Sequence, residues 1–162
     1  MKNTPSLKIT LIEDDLLLRE MLHDFLKKKY PFATLMLYNT GEAALDSIYE
    51  EQHLVLLDYN LNSQNREGKN GIEILKQLKS KFPSMPVVFI SGQDKPEIAI
   101  STMKYGAWDY IIKNDQVFNR LDITLNQIVG EVREEKKGSI PGWFWGVVIL
   151  VVLGVLMMLL LR

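Results

Sequence analysis

The sequence predicts one doubly wound α/β domain, a five-stranded parallel sheet in the order 2-1-3-4-5, followed by a single apolar C-terminal helix. Three observations carry this expectation. Short apolar runs of strand length alternate with stretches at helical spacing over roughly 130 residues, as repeated βα units do. The runs Leu54-Val55-Leu56-Leu57 and Val87-Val88-Phe89-Ile90 lack polar alternation, as central parallel strands covered on both faces should. Polar groups stand just past the ends of the strands, where open α/β sheets bind their ligands.

Leu7 to Ile12 reads as the first strand, and Glu13-Asp14-Asp15 follows at once. Leu16, Leu17, Met21, Leu22, Phe25 and Leu26 then mark the apolar face of a helix. One or two carboxylates here would cap that helix and complement its dipole, and Asp15 is favoured for that role. Three in a row exceed what capping needs. Pro31 stops the helix, Thr34 to Tyr38 supplies the second strand, and Thr40-Gly41 opens a helix carrying Ala43, Ala44, Leu45 and Ile48.

The third strand, Leu54 onward, ends abruptly in Asp58, followed by Tyr59-Asn60. Leu61 to Asn70 is polar and aperiodic, and Gly71 to Phe82 places Ile72, Leu75 and Leu78 at helical spacing. Pro83 to Pro86 breaks that helix, and the fourth strand runs to Ser91-Gly92. Asp94 reads as an N-cap, Pro96 as a first-turn residue and Glu97 as its capping-box partner, so a helix is expected to about Tyr105. Gly106-Ala107 turns the chain, Trp108 to Ile112 forms the fifth strand, and Lys113 sits just past its end. Leu121, Leu125, Ile128 and Val132 are the inward stripe of the last helix. The strand order is the flavodoxin-like one.

The 162 residues suffice for one domain plus an appendage, and 47% apolar with 24% charged residues is a globular composition. The net charge of −1 hides a split, because only two acids accompany Arg133, Lys136, Lys137 and Arg162 after residue 132. The body is acidic, which argues against nucleic-acid binding by bulk charge. Zero cysteines exclude a disulfide framework and thiolate metal sites. The first residues show no signal peptide. His23 and His53 lack the neighbours of a metal site and read as surface or packing residues.

We expect three segments: residues 1–132 as the domain, 133–142 as a charged linker and 143–161 as a transmembrane helix. Trp143 to Leu161 carries no charge over 19 residues, about 28 Å of helix at about 1.5 Å per residue and close to the thickness of a bilayer's hydrocarbon core. Trp143 and Trp145 suit one interface, the basic residues before them suit the cytoplasmic flank, and Arg162 can snorkel. The expected location is therefore the inner, cytoplasmic membrane, single-pass, with the domain in the cytoplasm and insertion following its synthesis. Gly142 to Gly146 matches GxxxG but lies at the helix entrance, which makes it weak evidence for dimerisation.

Gathered by strand, the carboxyl-end residues are Glu13, Asp14 and Asp15, then Asp58 and Asn60, then Ser91, then Lys113. Clustered carboxylates repel unless a cation joins them, and an all-oxygen site favours Mg²⁺ together with a phosphate oxygen. An Asp carboxylate can attack phosphorus to give an acyl phosphate, with Mg²⁺, Ser91 and Lys113 neutralising the transferred group.

Leu11-Ile12-Glu13-Asp14-Asp15, Leu54 to Asp58, Val87 to Ser91 and Gly106 to Lys113 together resemble the receiver domain of two-component response regulators, over about residues 6 to 132. The resemblance implies that Glu13 and Asp14 bind Mg²⁺ with Asp58, and that Asn60 gives its backbone carbonyl to the metal. It makes Asp58 the phosphoacceptor, Ser91 the family's Ser/Thr residue, Lys113 the phosphoryl contact and Tyr110 the switch aromatic that acts with Ser91. It implies a histidine kinase or a histidine phosphotransfer protein as donor, and a homodimer through the receiver is compatible with it. On this reading the chain is not an enzyme but a phosphoacceptor that promotes its own phosphotransfer and dephosphorylation.

Three departures from the family pattern stand out. The loop through Asn62 to Asn70 is about five residues longer than usual, which bears on donor access and phosphoryl lifetime. Asn114 replaces the usual Pro after the lysine, and Lys113 is expected to be held less rigidly for it. Gly92 replaces the common Ala and should loosen its loop. With no room for a DNA-binding domain in the linker, no DNA binding is expected, and output would go through protein contacts. Two alternatives remain at this point: a degenerate receiver acting as a membrane scaffold, and an Asp-nucleophile phosphohydrolase of the haloacid-dehalogenase kind. The second wants a general acid two residues after the nucleophile, where this chain has Asn60.

Overall fold

The computed structural model describes residues 7–50, 52–61, 68–138 and 149–150. The apolar runs close into the strands β1 (Lys8–Ile12), β2 (Thr34–Tyr38), β3 (Leu54–Asp58), β4 (Val87–Ser91) and β5 (Asp109–Ile112). Between and after them run α1 (Leu16–Lys29), α2 (Gly41–Ser47), α3 (Gly71–Lys81), α4 (Pro96–Lys104) and α5 (Val117–Gly138). All pairings are parallel, in the order β2-β1-β3-β4-β5, with Ile9 opposite Leu54, Val55 opposite Val87 and Val88 opposite Asp109. Every residue of β3 and β4 is buried, which explains why their sequences do not alternate. Ile12, Leu57, Ile74, Leu78 and Phe89 form part of one buried cluster between the sheet and its helices.

The helix starts are fixed locally. The Asp15 carboxylate accepts from the Leu18 N–H at 2.9 Å, as a cap should, and Thr40 caps α2 through the Ala43 N–H at 3.3 Å. Asn70 and Glu73 make a reciprocal capping box for α3. Two expectations need correction here. The apolar face of α1 is narrower than the sequence suggests: Leu22 and Leu26 are buried, whereas Leu16, Leu17 and Met21 are exposed. The sheet-facing stripe follows the four-residue spacing through Leu18, Leu22 and Leu26, and Met21 lies about 100° round the helix from it. In α4 the cap is Lys95, without a side-chain bond, and not Asp94. Pro96 takes the first helical position and holds the preceding residue extended, so Lys95 occupies the cap position one residue after Asp94.

Leu121, Leu125 and Ile128 of α5 are buried as expected, joined by Val129, while Val132 is half-buried. The chain divides into two compact units, Met1–Val129 and Gly130–Arg162. Among the described residues no helix is long and apolar enough to cross a membrane. The expected span 143–161 lies outside the described residues, except for Ile149 and Leu150, which are helical and exposed.

Two glycines separate a real packing demand from mere permissiveness. A Cβ on Gly71 would stand 2.5 Å from the Asp58 carbonyl oxygen and 2.9 Å from the Tyr59 Cα, whereas one on Gly92 would meet nothing within 4 Å. Gly71→Ala is therefore expected to destabilise the domain by about 1–3 kcal/mol through forced backbone shifts. Gly92→Ala should stay within about 0.5 kcal/mol of the parent. Urea denaturation of the two variants side by side checks both expectations.

Candidate functional site

Because all five strands are parallel and in close register, their carboxyl ends open on one edge of the sheet, and the loops there converge. β1 delivers Glu13 and Asp14, β3 delivers Asp58, β4 delivers Ser91, and β5 delivers Lys113. Glu13 and Asp58 are almost wholly buried, at 1% and 2% exposure. Carboxylate oxygens of Glu13, Asp14 and Asp58 all lie within 4.8 Å of one another.

Lys113 joins the two buried acids. Its Nζ lies 2.8 Å from Asp58 Oδ1 and 2.9 Å from Glu13 Oε2, and it donates a hydrogen bond to Glu13 Oε1 at 3.1 Å. The backbone N–H of Asn60 donates to Asp58 Oδ2 at 3.1 Å, and that of Asp15 to Glu13 Oε1 at 3.3 Å. Burial raises the Glu13 pKa to about 7, helped by the negative charge of Asp58 and opposed by Lys113. Burial likewise raises Asp58, against the opposing effect of Lys113. For Lys113 burial alone would lower the value, but the two carboxylates overcome it and the net shift is upward.

The backbone amides of Lys113 and Asn114 are both hydrogen-bonded. The Lys113 N–H donates to the Ser91 carbonyl at 2.7 Å, and the Asn114 N–H, which a proline would lack, donates to the Ile112 carbonyl at 2.9 Å.

Ser91 is fully buried, and its Oγ accepts from the Gln93 N–H at 3.0 Å. The Tyr110 hydroxyl donates to the Gln93 carbonyl at 2.8 Å, its ring stacks on Phe89 at 6.3 Å between centroids, and Ser91 is a hydrogen-bond partner of the same hydroxyl. Tyr110 is thus tied to the β4–α4 loop. Asp15 stays at the helix cap, outside the carboxylate cluster. His53 Nδ1 accepts from the Lys8 N–H at 3.0 Å and His23 pairs with its neighbour Asp24, so neither joins the site.

Three supporting residues escaped the sequence reading. Arg19 donates to the Glu13 carbonyl at 2.7 Å from the first turn of α1, and the Gln93 carbonyl accepts from Tyr110; both bonds use carbonyl oxygens and leave no residue pattern. The third, Glu42, accepts from the Lys69 N–H at 2.7 Å and so fixes the described end of the long loop. Residues 62–67 of that loop lie outside the described residues. The Asn70-x-x-Glu73 capping box was legible as a pattern and fixes α3 at the loop's end.

The residues present fit a divalent cation. Glu13 Oε2 and Asp58 Oδ1 are buried without a hydrogen-bond partner, Lys113 being their ionic neighbour, and an all-oxygen carboxylate set suits a hard cation such as Mg²⁺.

Fold and site together define a receiver of phosphoryl signals. The response regulator receiver domain model matches residues 9–122, and the chain belongs to that family. It is 29% identical over 127 residues to the response regulator protein FleR of Pseudomonas aeruginosa, covering 77% of this chain and 25% of that one. It is 30% identical over 109 residues to the transcriptional regulatory protein MalR of Bacillus subtilis, covering 66% and 44%. The receiver domain of NtrX from Brucella abortus superposes with a TM-score of 0.66 at 26% identity, over 75% of this chain and 98% of that one. The chain spans 25%, 57% and 20% of the lengths of three curated relatives it matches.

The raised carboxyl pKa values set a pH dependence. A folded-state pKa above the unfolded one means that the native state binds more protons between the two, so stability falls as pH rises from about 4.5 to about 7 and is flat above. Glu42 shifts the other way, and its contribution is lost only below that window. Metal-free protein should therefore unfold at higher urea at pH 5.5 than at pH 7.5, by roughly 2 kcal/mol from Glu13. Glu13→Gln should flatten this slope, and saturating Mg²⁺ should remove most of it; a slope unchanged by both would dissociate it from this cluster.

Proposed function

We propose that this chain is a membrane-anchored response regulator receiver that takes a phosphoryl group on Asp58 and signals through protein contacts. The observation that carries the Asp58 assignment is the buried Asp58 carboxylate held between Lys113 and the Asn60 N–H, beside Glu13 and Asp14. A buried carboxyl attacks only when ionised, and the Lys113 ammonium opposes the burial that would keep it protonated. An Asp58 oxygen forms the new bond to phosphorus as the donor's bond to phosphorus breaks, leaving an acyl phosphate on the side chain. Lys113 then neutralises a phosphoryl oxygen, and the Ser91 hydroxyl is the donor for another. Glu13, Asp14, Asp58 and the Asn60 carbonyl would hold Mg²⁺, which when bound offsets the charge of the carboxylates and of the phosphoryl oxygens.

The donor class is a histidine kinase or histidine phosphotransfer protein, as the family implies. Ser91 and Tyr110 form the switch, since both bond to Gln93 in the loop that would sense the new charge. The membrane half of the reading rests on the chain's own composition: the uncharged run Trp143 to Leu161, after the linker 133–142, would span an inner membrane once and keep residues 1–132 in the cytoplasm.

Incubation with acetyl phosphate and Mg²⁺ should add one phosphate by intact mass to the parent and none to Asp58→Asn. Phosphate uptake by the variant at the parent's rate would move the acceptor elsewhere. The same variant should unfold at higher urea than the metal-free parent, because one repelling buried charge is gone and Glu13 keeps Lys113.

Truncation after Lys137 should leave phosphoryl uptake unchanged while abolishing the carbonate-resistant association with membranes that the run Trp143 to Leu161 would give. Carbonate extraction separates the cases: a full-length chain found in the carbonate supernatant would remove the anchor.

A further inference from the structure

In a parallel α/β layer every helix runs back from the carboxyl edge of the sheet to the amino edge, so the helix ends and the loops that lead into the strands collect on the side away from Asp58. Backbone bonds stitch this amino edge together: Thr34 to Leu7, His53 to Lys8, Val55 to Pro86 and Trp108 to Val87, at 2.7 to 3.0 Å. Across four strand intervals it is about 19 Å wide.

Two features of this edge need an explanation. The first is basic charge. Lys27 and Lys28 lie in the last turn of α1, Lys81 ends α3, and Lys104 ends α4, all of them exposed. Some of the acids nearby are engaged, since Glu50 pairs with Lys8 at 2.5 Å and Asp109 accepts from Thr124 at 2.7 Å, while Asp24 and Asp46 are exposed. Helix dipoles by themselves would favour lysines here.

They would not favour the second feature, exposed aromatic rings. Phe32 between α1 and β2 is 91% exposed, and Tyr49 between α2 and β3 is 84% exposed. Trp108, between α4 and β5, is 37% exposed. Three of the four loops on this edge thus each present a ring to solvent, at the edge, centre and opposite edge of the sheet, among lysines. Aromatic rings interleaved with lysines are the composition of a surface that sits at lipid headgroups, where rings enter the interfacial layer and ammonium groups meet anionic phosphates.

We propose that the amino edge of the sheet docks on an anionic lipid surface, with Phe32, Tyr49 and Trp108 in the headgroup layer and Lys27, Lys28 and Lys104 beside them. The proposal deepens the membrane-anchored reading given above, and it supplies an orientation: the carboxyl edge with Asp58 then points away from the lipid, toward a soluble or membrane-tethered donor.

The test uses residues 1–137, which contain the whole first unit and its core, and in which Trp108 is the one tryptophan. Sedimentation with phosphatidylcholine vesicles containing about one third phosphatidylglycerol should show partition at low ionic strength that weakens at physiological salt and is absent with pure phosphatidylcholine. Trp108 emission should shift to the blue on binding. Lys27→Glu with Lys28→Glu should lower partition at least roughly 25-fold, about fivefold per lysine, and Phe32→Ser with Tyr49→Ser should lower it severalfold, while both keep the parent's uptake from acetyl phosphate. No partition at low ionic strength, partition that both variants retain, or stronger retention by single-stranded DNA than by the vesicles overturns the docking surface. Carbonate extraction of the full chain reports on the anchor alone, so the two readings fail separately.

Discussion

The bridge that Lys113 makes between Glu13 and Asp58 is the interaction on which the rest of the site depends. Two carboxylates removed from water, both with pKa values raised by burial first and then by a neighbouring acid, Asp58 acting on Glu13 and Asp14 on Asp58, are an expensive arrangement. One ammonium at 2.8 and 2.9 Å from them makes it tolerable without abolishing it, since both acids keep raised pKa values. Glu13 Oε2 and Asp58 Oδ1, both buried, have that ammonium as their ionic neighbour and no hydrogen-bond partner. A site in this condition is poised to gain from a cation and from a new partner for its lysine.

Keeping that bridge in register is the work of the sheet. Glu13, Asp58 and Lys113 belong to three different strands, and Lys113 is separated from Glu13 by 100 residues of chain. Parallel pairing aligns the strand ends, and the Lys113 N–H bond to Ser91 sets the height of β5 against β4. Gly71 brings the start of α3 against the Asp58 carbonyl so closely that no side chain fits between. The Asn70–Glu73 capping box holds that helix start, so the backbone behind Asp58 is supported from the far end of the long loop.

The two edges of the sheet carry opposite chemistry. Acids at helix starts and lysines at helix ends follow from the dipole, and this gives the domain its polarity before any function is asked of it. On the carboxyl edge the acids go further than capping needs, and they are buried. On the amino edge the lysines are joined by rings that no packing demand explains. An exposed apolar group beside charge is where interaction surfaces are found.

Along the chain alone, nearly all the element positions and the polar residues that stand at the strand ends are legible, because each is written in a local signal, and the strand order follows from the fold pattern those elements match. Unalternating runs mark the buried strands, caps and prolines mark the helix ends, and an abrupt carboxylate after an apolar run marks Asp58. What the sequence by itself could not determine are the matters that depend on several segments at once. The narrow face of α1 depends on where the helix rests on the sheet, the Lys113 N–H is bound by the Ser91 carbonyl of the neighbouring strand, and the roles of Arg19 and Gln93 are contacts made through carbonyl oxygens. Neither the raised pKa of Glu13 nor the row of exposed rings can be read along the chain. Burial and adjacency are properties of the packed molecule, and only the tertiary structure decides how much water each group keeps.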